Sequence, residues 1–133
     1  MDEKILEQVI TMTADSLSVS NSYHFRVPPT TLVGDGISVR TGEYLAQLEC
    51  RKVLIVTDRQ IVKLGLMNPA LRSLHRHHID YAIFDEVLPD PTDAIVRLGV
   101  DKLHNCGCGG VLTFGGGSVI DAGKAIAVFA NHP

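Results

Sequence analysis

The chain has 133 residues, 45% of them hydrophobic, so it is the size of one domain and can bury a real core. Its formal net charge of −3, with a single short basic cluster at residues 75–78, argues against a nucleic-acid partner. The longest apolar runs, such as residues 125–130, are far shorter than the about 18 residues that a membrane-spanning helix needs. We therefore expect neither a nucleic-acid nor a membrane partner.

The N-terminus and the cysteines both favour the cytoplasm. The opening Met-Asp-Glu-Lys lacks the basic and continuous apolar regions of a signal peptide. Three cysteines, Cys50, Cys106 and Cys108, form no C-x-x-C pair, which suits a reducing compartment better than a disulfide framework. We expect a cytoplasmic protein in which Cys106 and Cys108 are buried or half-buried thiols.

The first 22 residues are predicted to form an N-terminal arm. Apolar residues at helical spacing predict a short amphipathic helix from Lys4 to Leu17. Residues 23–33 then alternate like an edge strand that two prolines interrupt, and a Gly-Asp-Gly sequence at 34–36 closes it as a turn. The predicted organisation is an arm over residues 1–22 and an α/β domain over residues 23–133.

Short apolar segments alternate with helical segments over the rest of the chain. Val53 to Val56 contain three β-branched residues in four, which is typical of a parallel strand buried on both faces. The predicted strands are Lys52–Asp58, Tyr81–Phe84 and Val111–Phe114, and the predicted helices are Ser38–Cys50, Arg59–His78 with a break near Gly65 and Pro69, Ala94–Asn105, and a last helix from Ser118. This alternation predicts the α/β class, with a Rossmann-like parallel sheet and helices on both faces.

Three consecutive glycines lie between the last strand and the last helix. Gly115, Gly116 and Gly117 allow positive φ and let another group approach the main chain closely. The Ser118 hydroxyl is expected to cap the helix, with Asp121 in the reciprocal position of a capping box. Free N–H groups and the positive end of the helix dipole then face the turn, so the sequence predicts an anion site for a phosphate.

A second candidate site residue, Asp58, ends the first predicted strand. Ligands collect at the carboxyl edge of open parallel sheets, and a carboxylate there can accept the hydroxyl hydrogens of a ribose. With a phosphate on the glycine turn, the two sites together could hold a dinucleotide. Plainer roles stay open: Ser118 and Asp121 as a cap, Asp58 as a turn former, and Asp121 with Lys124 as an ion pair one helical turn apart.

The glycine turn fits neither the Walker A loop nor the G-x-G-x-x-G fingerprint. The string G-G-G-S-x-x-D-x-x-K resembles the signature of the iron-containing (group III, metal-dependent) alcohol dehydrogenase family, and it is matched at Gly115, Gly116, Gly117, Ser118, Asp121 and Lys124. An earlier pattern, F-x-x-P followed by G-x-G, is similar to the opening of that family at Phe25, Pro28, Gly34 and Gly36. An edge strand and a turn explain these earlier residues equally well.

The resemblance implies a dehydroquinate synthase-like N-terminal domain in which different residues bind different parts of the cofactor. The glycine turn would bind the pyrophosphate of the cofactor, and Asp58, in the sequence V-T-D, would contact the adenine ribose. Asp121 and Lys124 would face the nicotinamide and the substrate. NAD is expected in preference to NADP because a carboxylate repels a 2′-phosphate.

The resemblance also implies that this sequence is the cofactor-binding part alone, truncated before a helical C-terminal domain. In the family, one aspartate and three histidines of that domain bind a divalent metal, iron or zinc. We assign no catalytic residue and no metal ligand in this chain and expect it to be inactive alone. His75, His77 and His78 have no companion ligand at suitable spacing, so a solvated helix end is the better interpretation.

The expected function is that of the cofactor-binding portion of an NAD-dependent, metal-dependent alcohol dehydrogenase. Such an enzyme transfers a hydride between a primary or small alcohol, or its aldehyde, and nicotinamide. A homo-oligomer is expected for the intact enzyme. The alternatives are a related polyol dehydrogenase, a dehydroquinate synthase-like enzyme, or a non-catalytic nucleotide-binding module.

Overall fold

A computed structural model describes residues 2–9 and 31–132 of the chain. The described residues up to Val33 form one unit and those from Gly34 form a second. In the first unit, helix α1 covers residues 3–9, and its residues are exposed. The predicted helix is therefore confirmed over residues 4–9, and its remainder lies outside the described residues.

The predicted edge strand over residues 23–33 also lies mostly outside the described part. Its last three residues, 31–33, are exposed and have no regular secondary structure. The turn that follows is confirmed, and Gly36 adopts a φ of 68° there, a conformation that glycine takes at little cost. The boundary between an arm and a domain at residue 22 stays a prediction.

The second unit is built on a three-stranded parallel sheet. The strands are β1 (Lys52–Val56), β2 (Asp80–Phe84) and β3 (Gly110–Thr113), in the order β2-β1-β3. Residues 53–56 of β1 are at most 1% exposed, because the central strand has neighbours on both edges and helices on both faces. The predicted parallel α/β sheet is confirmed.

Helices cover both faces of this sheet. The helices are α2 (Thr41–Gln47), which follows a 3-10 turn at Ile37–Arg40, then α3 (Arg59–Lys63), α4 (Asn68–Arg76), α5 (Asp93–Asn105) and α6 (Gly117–Asn131). On the face covered by α5 and α6, Leu54 and Val56 of β1 pack with Ile126. On the opposite face, Val53 and Ile55 pack with Leu74 of α4. Alternate residues of one strand therefore join two separate apolar cores.

Local chemistry explains most helix boundaries. Thr92 is the N-cap of α5, as its hydroxyl accepts from the amide of Ile95, and Gly107 follows the helix with a φ of 64°. The predicted break near Gly65 is confirmed, since α3 ends at Lys63 and Gly65 has a φ of 68°. Pro69 does not lie in the break but in the first turn of α4, where a missing N–H costs no helical hydrogen bond.

Glycines permit close packing on both faces of the sheet. A β-carbon at Gly123 of α6 would collide with the methyl group of Thr113 on β3. A β-carbon at Gly42 of α2 would collide with the backbone carbonyl of Ser73 on α4. Each face of the sheet thus contains a contact that a β-carbon would disrupt, and on the α5 and α6 face a β-carbon at Gly99 would also collide with the Ile126 side chain.

Candidate functional site

A cavity of about 610 Å³ lies at the carboxyl edge of the sheet. Asp58, which follows β1, lines it together with Gly116, Gly117 and Ser118, which follow β3. The two segments are more than fifty residues apart in sequence, and they meet because parallel strands end at the same edge. The structure thus brings together four of the seven predicted site residues.

Asp58 is placed by two local interactions. Its backbone is extended, and its Oδ1 accepts a hydrogen bond of 2.9 Å from the amide of Ile61, which caps α3. A single antiparallel bridge also joins Asp58 to Glu86, beyond the end of β2. The turn-forming role that the sequence left open is therefore real, and the carboxylate lines the cavity as well.

The glycine turn differs from the prediction in where the helix starts. Helix α6 begins at Gly117, and its N-cap is Gly116, with no side-chain capping hydrogen bond. The predicted capping box of Ser118 and Asp121 is therefore wrong, because Ser118 is already inside the first turn. The first helical hydrogen bond runs from the amide of Ile120 to the carbonyl of Gly116. No side chain thus occupies the N-terminus of α6, which keeps it open to an anion.

Of the three glycines, Gly115 is the one with positive φ, at 155°. A β-carbon there would lie 2.9 Å from a methyl carbon of Val119, so backbone conformation and close packing both require glycine. Gly116 is extended and Gly117 is helical, and a β-carbon on either would meet nothing within 4 Å. Their lack of a side chain leaves the main chain accessible from the cavity.

Thr57 connects the two halves of the site. Its hydroxyl donates a hydrogen bond of 2.7 Å to the carbonyl of Phe114, the residue before the glycine turn. Its amide donates to the carbonyl of Phe84, at the end of β2. The residue is completely buried, and it links β1 to the ends of both neighbouring strands.

Three predicted site residues do not line the cavity. Gly115 lies next to it in the turn, and Asp121 and Lys124 are exposed on α6. Within residues 31–132, Asp121 and Lys124 form no ion pair with each other, so that plainer interpretation finds no support. Their assignment to the nicotinamide and substrate side stays a prediction.

The sequence did not single out the segment after β2, which contributes a large part of the cavity wall. Asp85 and Glu86 add two carboxylates to that of Asp58, and Arg59 adds one guanidinium. Leu88, Pro89 and Ile95 provide an apolar surface. The sequence did contain an indication of this segment: Asp85 directly follows a predicted strand, and a residue in that place lies at the carboxyl edge of a parallel sheet.

The histidines near the end of α4 serve its structure. Nδ1 of His77 lies 2.9 Å from the carbonyl oxygen of Ser73 in the last turn, and His78 adopts a positive φ of 56°. Among the residues that the structure describes, no group of three or more His, Cys, Asp or Glu side chains could hold a metal ion.

The cysteines lie where the sequence predicted. Cys106 is half-buried, Cys108 is buried, and both are free thiols. Burial raises the pKa of the Cys108 thiol above its ordinary value, which makes it a poor nucleophile.

No helix in the described part of the chain has the length and apolarity to cross a membrane.

Comparison with known proteins places this geometry in a family. The family profile described as iron-containing alcohol dehydrogenase matches residues 28–133. The chain is 36% identical over 115 residues to choline dehydrogenase of Bacillus subtilis, covering 86% of this chain and 29% of that protein. It is 36% identical over 107 residues to the NAD-dependent methanol dehydrogenase of Bacillus methanolicus, covering 80% of this chain and 28% of that protein.

Solved structures agree with the sequence relatives. A 1,3-propanediol oxidoreductase superposes with a TM-score of 0.80 at 34% identity, over 85% of this chain and 30% of that one. NADH-dependent butanol dehydrogenase A from Thermotoga maritima superposes with a TM-score of 0.76 at 30% identity, over 84% of this chain and 28% of that one. The chain thus spans about three tenths of the length of the curated relatives it matches. By sequence and by fold, it belongs to the iron-containing alcohol dehydrogenase family.

Proposed function

We propose that the cavity at the carboxyl edge of the sheet binds the ADP half of NAD, so that this chain supplies cofactor binding to an alcohol dehydrogenase. The observation that carries the proposal is that one cavity is lined by both Asp58 and the Gly116-Gly117-Ser118 turn. A dinucleotide needs a hydroxyl acceptor and an anion site close together, and this cavity offers both.

Each part of the ADP half has a matching group in the cavity wall. The pyrophosphate would accept hydrogen bonds from the backbone amides at the start of α6, where no side-chain cap competes. The adenine ribose would donate its hydroxyl hydrogens to the Asp58 carboxylate. Leu88, Pro89 and Ile95 would contact the adenine ring. Gly115 would act indirectly, since it holds the turn in a conformation that a β-carbon would prevent.

The charge of the cavity favours NAD over NADP. Three acidic residues, Asp58, Asp85 and Glu86, line it, against the single basic residue Arg59. A 2′-phosphate bound to the adenine ribose would lie next to the Asp58 carboxylate, and two like charges at such a distance repel strongly.

The wider activity follows from the family and is part of the proposal. When bound, NAD accepts a hydride from an alcohol or returns it, as NADH, to an aldehyde. The substrate would be a primary or small alcohol, and Asp121 and Lys124 would lie toward the nicotinamide and substrate side. The described residues offer no metal site, so the iron or zinc of the family would be held by other residues. We further propose a cytoplasmic homo-oligomer for the intact enzyme.

Calorimetric titration of the purified chain with NAD, NADP and ADP-ribose tests the binding proposal. We expect NAD and ADP-ribose to bind and NADP to bind at least tenfold more weakly. Asp58→Asn should reduce this preference, because asparagine still caps a helix but carries no charge. Asp80→Asn, which makes the same change at the opposite edge of the sheet, is the matched control. Equal affinities of the wild-type chain for NAD and NADP would contradict the charge argument.

The chain by itself should not oxidise alcohols, since its described residues provide no metal site. Ethanol or 1,3-propanediol with NAD should give no NADH absorbance at 340 nm above a blank. Formation of NADH by the purified chain in the presence of a chelator would show that catalysis needs nothing beyond these residues.

A further inference from the structure

The carboxylate and the glycine turn of the site are joined by one buried side chain, that of Thr57. Thr57 directly precedes Asp58, and its hydrogen-bond partner, Phe114, directly precedes Gly115. The donor and acceptor oxygens are 2.7 Å apart, and Thr57 is completely buried. A single hydrogen bond therefore spans the point where the two cofactor-binding segments leave the sheet.

This bond lies where the pairing between β1 and β3 ends. The backbone ladder between β1 and β3 ends with the amide of Phe114 donating to the carbonyl of Val56 at 3.0 Å. The next acceptor, the Phe114 carbonyl, takes the Thr57 hydroxyl, while the amide of Thr57 pairs with Phe84 on β2. A side chain thus continues the link between β1 and β3 after the strands stop pairing, one residue before Asp58 and one residue before the glycine turn.

We propose that Thr57 is a positioning residue that fixes the separation between Asp58 and the glycine turn, and so sets the affinity for ligands that touch both. The inference rests on the proposed function of the cavity. Thr57 does not line the cavity, so it acts through the segments it joins. A ligand that touches one segment alone gains little from the fixed separation, whereas a ligand that bridges them needs it.

Ser73 offers a matched control for the loss of a buried hydroxyl. It too is completely buried, and its hydroxyl accepts a hydrogen bond of 2.9 Å from the amide of Gly42. That bond joins α4 to α2, neither of which lines the cavity. Loss of the hydroxyl at either residue should therefore reduce stability. Only its loss at Thr57 should weaken the binding of ligands that bridge Asp58 and the glycine turn.

The test compares two ligands on four proteins: the wild-type chain, Thr57→Val, Thr57→Ser and Ser73→Ala. ADP-ribose bridges the two segments, and adenosine reaches the carboxylate side alone. In Thr57→Val, which keeps the side-chain shape, we expect ADP-ribose affinity to fall about tenfold and adenosine affinity to change less than about twofold. Thr57→Ser keeps the hydroxyl and should bind ADP-ribose like the wild type, as should Ser73→Ala.

Dissociation constants come from calorimetry for ADP-ribose and from NMR titration for adenosine, with folding of each variant checked by circular dichroism. If Thr57→Val does not fold, Thr57→Cys replaces it, since a thiol is a weaker and longer donor and should lower ADP-ribose affinity by a smaller factor. The positioning role would be overturned if Thr57→Val bound ADP-ribose as tightly as the wild type does. It would also be overturned if the variant lost affinity for ADP-ribose and adenosine equally. Failure of the wild-type chain to bind ADP-ribose would overturn the proposed function, and the positioning role with it.

Discussion

The helix pairs α2–α4 and α5–α6 each depend on a glycine at a close contact, but the two contacts lie at different distances from the cavity. In the pair α2 and α4, Gly42 lets the helices touch at Ser73, and this contact lies away from the cavity. In the pair α5 and α6, Gly123 lets α6 lie against Thr113, and the N-terminus of α6 lines the cavity. One pair therefore lies away from the cavity, and the other pair packs on the sheet and also places the N-terminus of α6, the proposed anion site, in the cavity wall.

This difference has a measurable consequence. Damage to the α2 and α4 pair should lower the free energy of unfolding and leave ligand affinity of the folded protein unchanged. Damage to α6 should lower both, because the helix that packs on β3 is also the helix whose first turn lines the cavity, the proposed ligand site. Single glycine substitutions separate the two cases.

Gly42→Ala should have the largest effect on stability. The added methyl group would collide with the Ser73 carbonyl and lie 2.7 Å from Nδ1 of His77, and backbone atoms cannot move aside without shifting α4. We expect a loss of about 3 kcal/mol in the free energy of unfolding, measured by urea denaturation. Gly34→Ala, where a methyl group meets nothing within 4 Å, should change it little. Weaker ADP-ribose binding by the folded Gly42→Ala protein would break the comparison.

Gly123→Ala should cost less stability and yet reduce binding. The methyl group would collide with the Thr113 side chain, which can move more easily than the backbone carbonyl that Gly42→Ala would meet, so we expect a net loss of about 2 kcal/mol. The displaced α6 should also weaken ADP-ribose binding severalfold. Gly99→Ala should also lower the free energy of unfolding, since its methyl group would collide with the buried Ile126 side chain of α6. An unchanged ADP-ribose affinity in Gly123→Ala would show that α6 can move without disturbing the site.

Cys108, on the α5 and α6 side, should make stability sensitive to alkali. Burial raises the pKa of its thiol in the folded protein, so its contribution is present below the pKa of the unfolded chain and is lost as the pH rises through the folded pKa. Replacing Cys108 with alanine should therefore flatten the fall in unfolding free energy at alkaline pH. The same substitution at half-buried Cys106 is the control, and an identical flattening there would count against the assignment.

Glu43, on the α2 side, should produce the smallest effect, at acid pH. The hydrogen bonds from Arg40, at 2.9 and 2.8 Å, hold the pKa of its carboxyl below the ordinary value. The contribution is thus present above the unfolded pKa and is lost as the pH falls through the folded one. Both side chains are exposed, so solvent screens the pair and the effect should be close to the limit of detection. Glu43→Gln should remove that slope, and a large acid destabilisation that depends on Glu43 would be unexpected.

The sequence was sufficient for the sheet and for the edge of the sheet at which Asp58 and the glycine turn lie. The apolar run of β1 and the alternation of strands and helices predicted a parallel sheet, whose carboxyl edge had to hold Asp58 and the glycine turn together. The start of α6 was misjudged because glycine has weak helical preference, yet Gly117 is helical and Gly116 serves as the cap. Serine is a common N-cap, so Ser118 was a reasonable choice as long as the first helical residue was unknown.

Two further features depend on the register of the strands, which the sequence does not fix. The hydrogen bond between Thr57 and Phe114 joins residues 57 positions apart. The bridge from Asp58 to Glu86 depends likewise on where β1 and β2 stop pairing. Asp85 and Glu86 could have been proposed from their place after a strand, but their presence beside Asp58 required the fold.

The most direct test of the central claim is an NMR titration of the 15N-labelled chain with ADP-ribose. The amide signals of Gly116, Gly117 and Ser118, together with those of Asp58 and Glu86, should shift and saturate with a common dissociation constant. Signals at the opposite edge of the sheet, such as that of Asp80, should stay in place. Shifts confined to that opposite edge, or no shifts at all, would contradict the assignment of the cavity as the cofactor site.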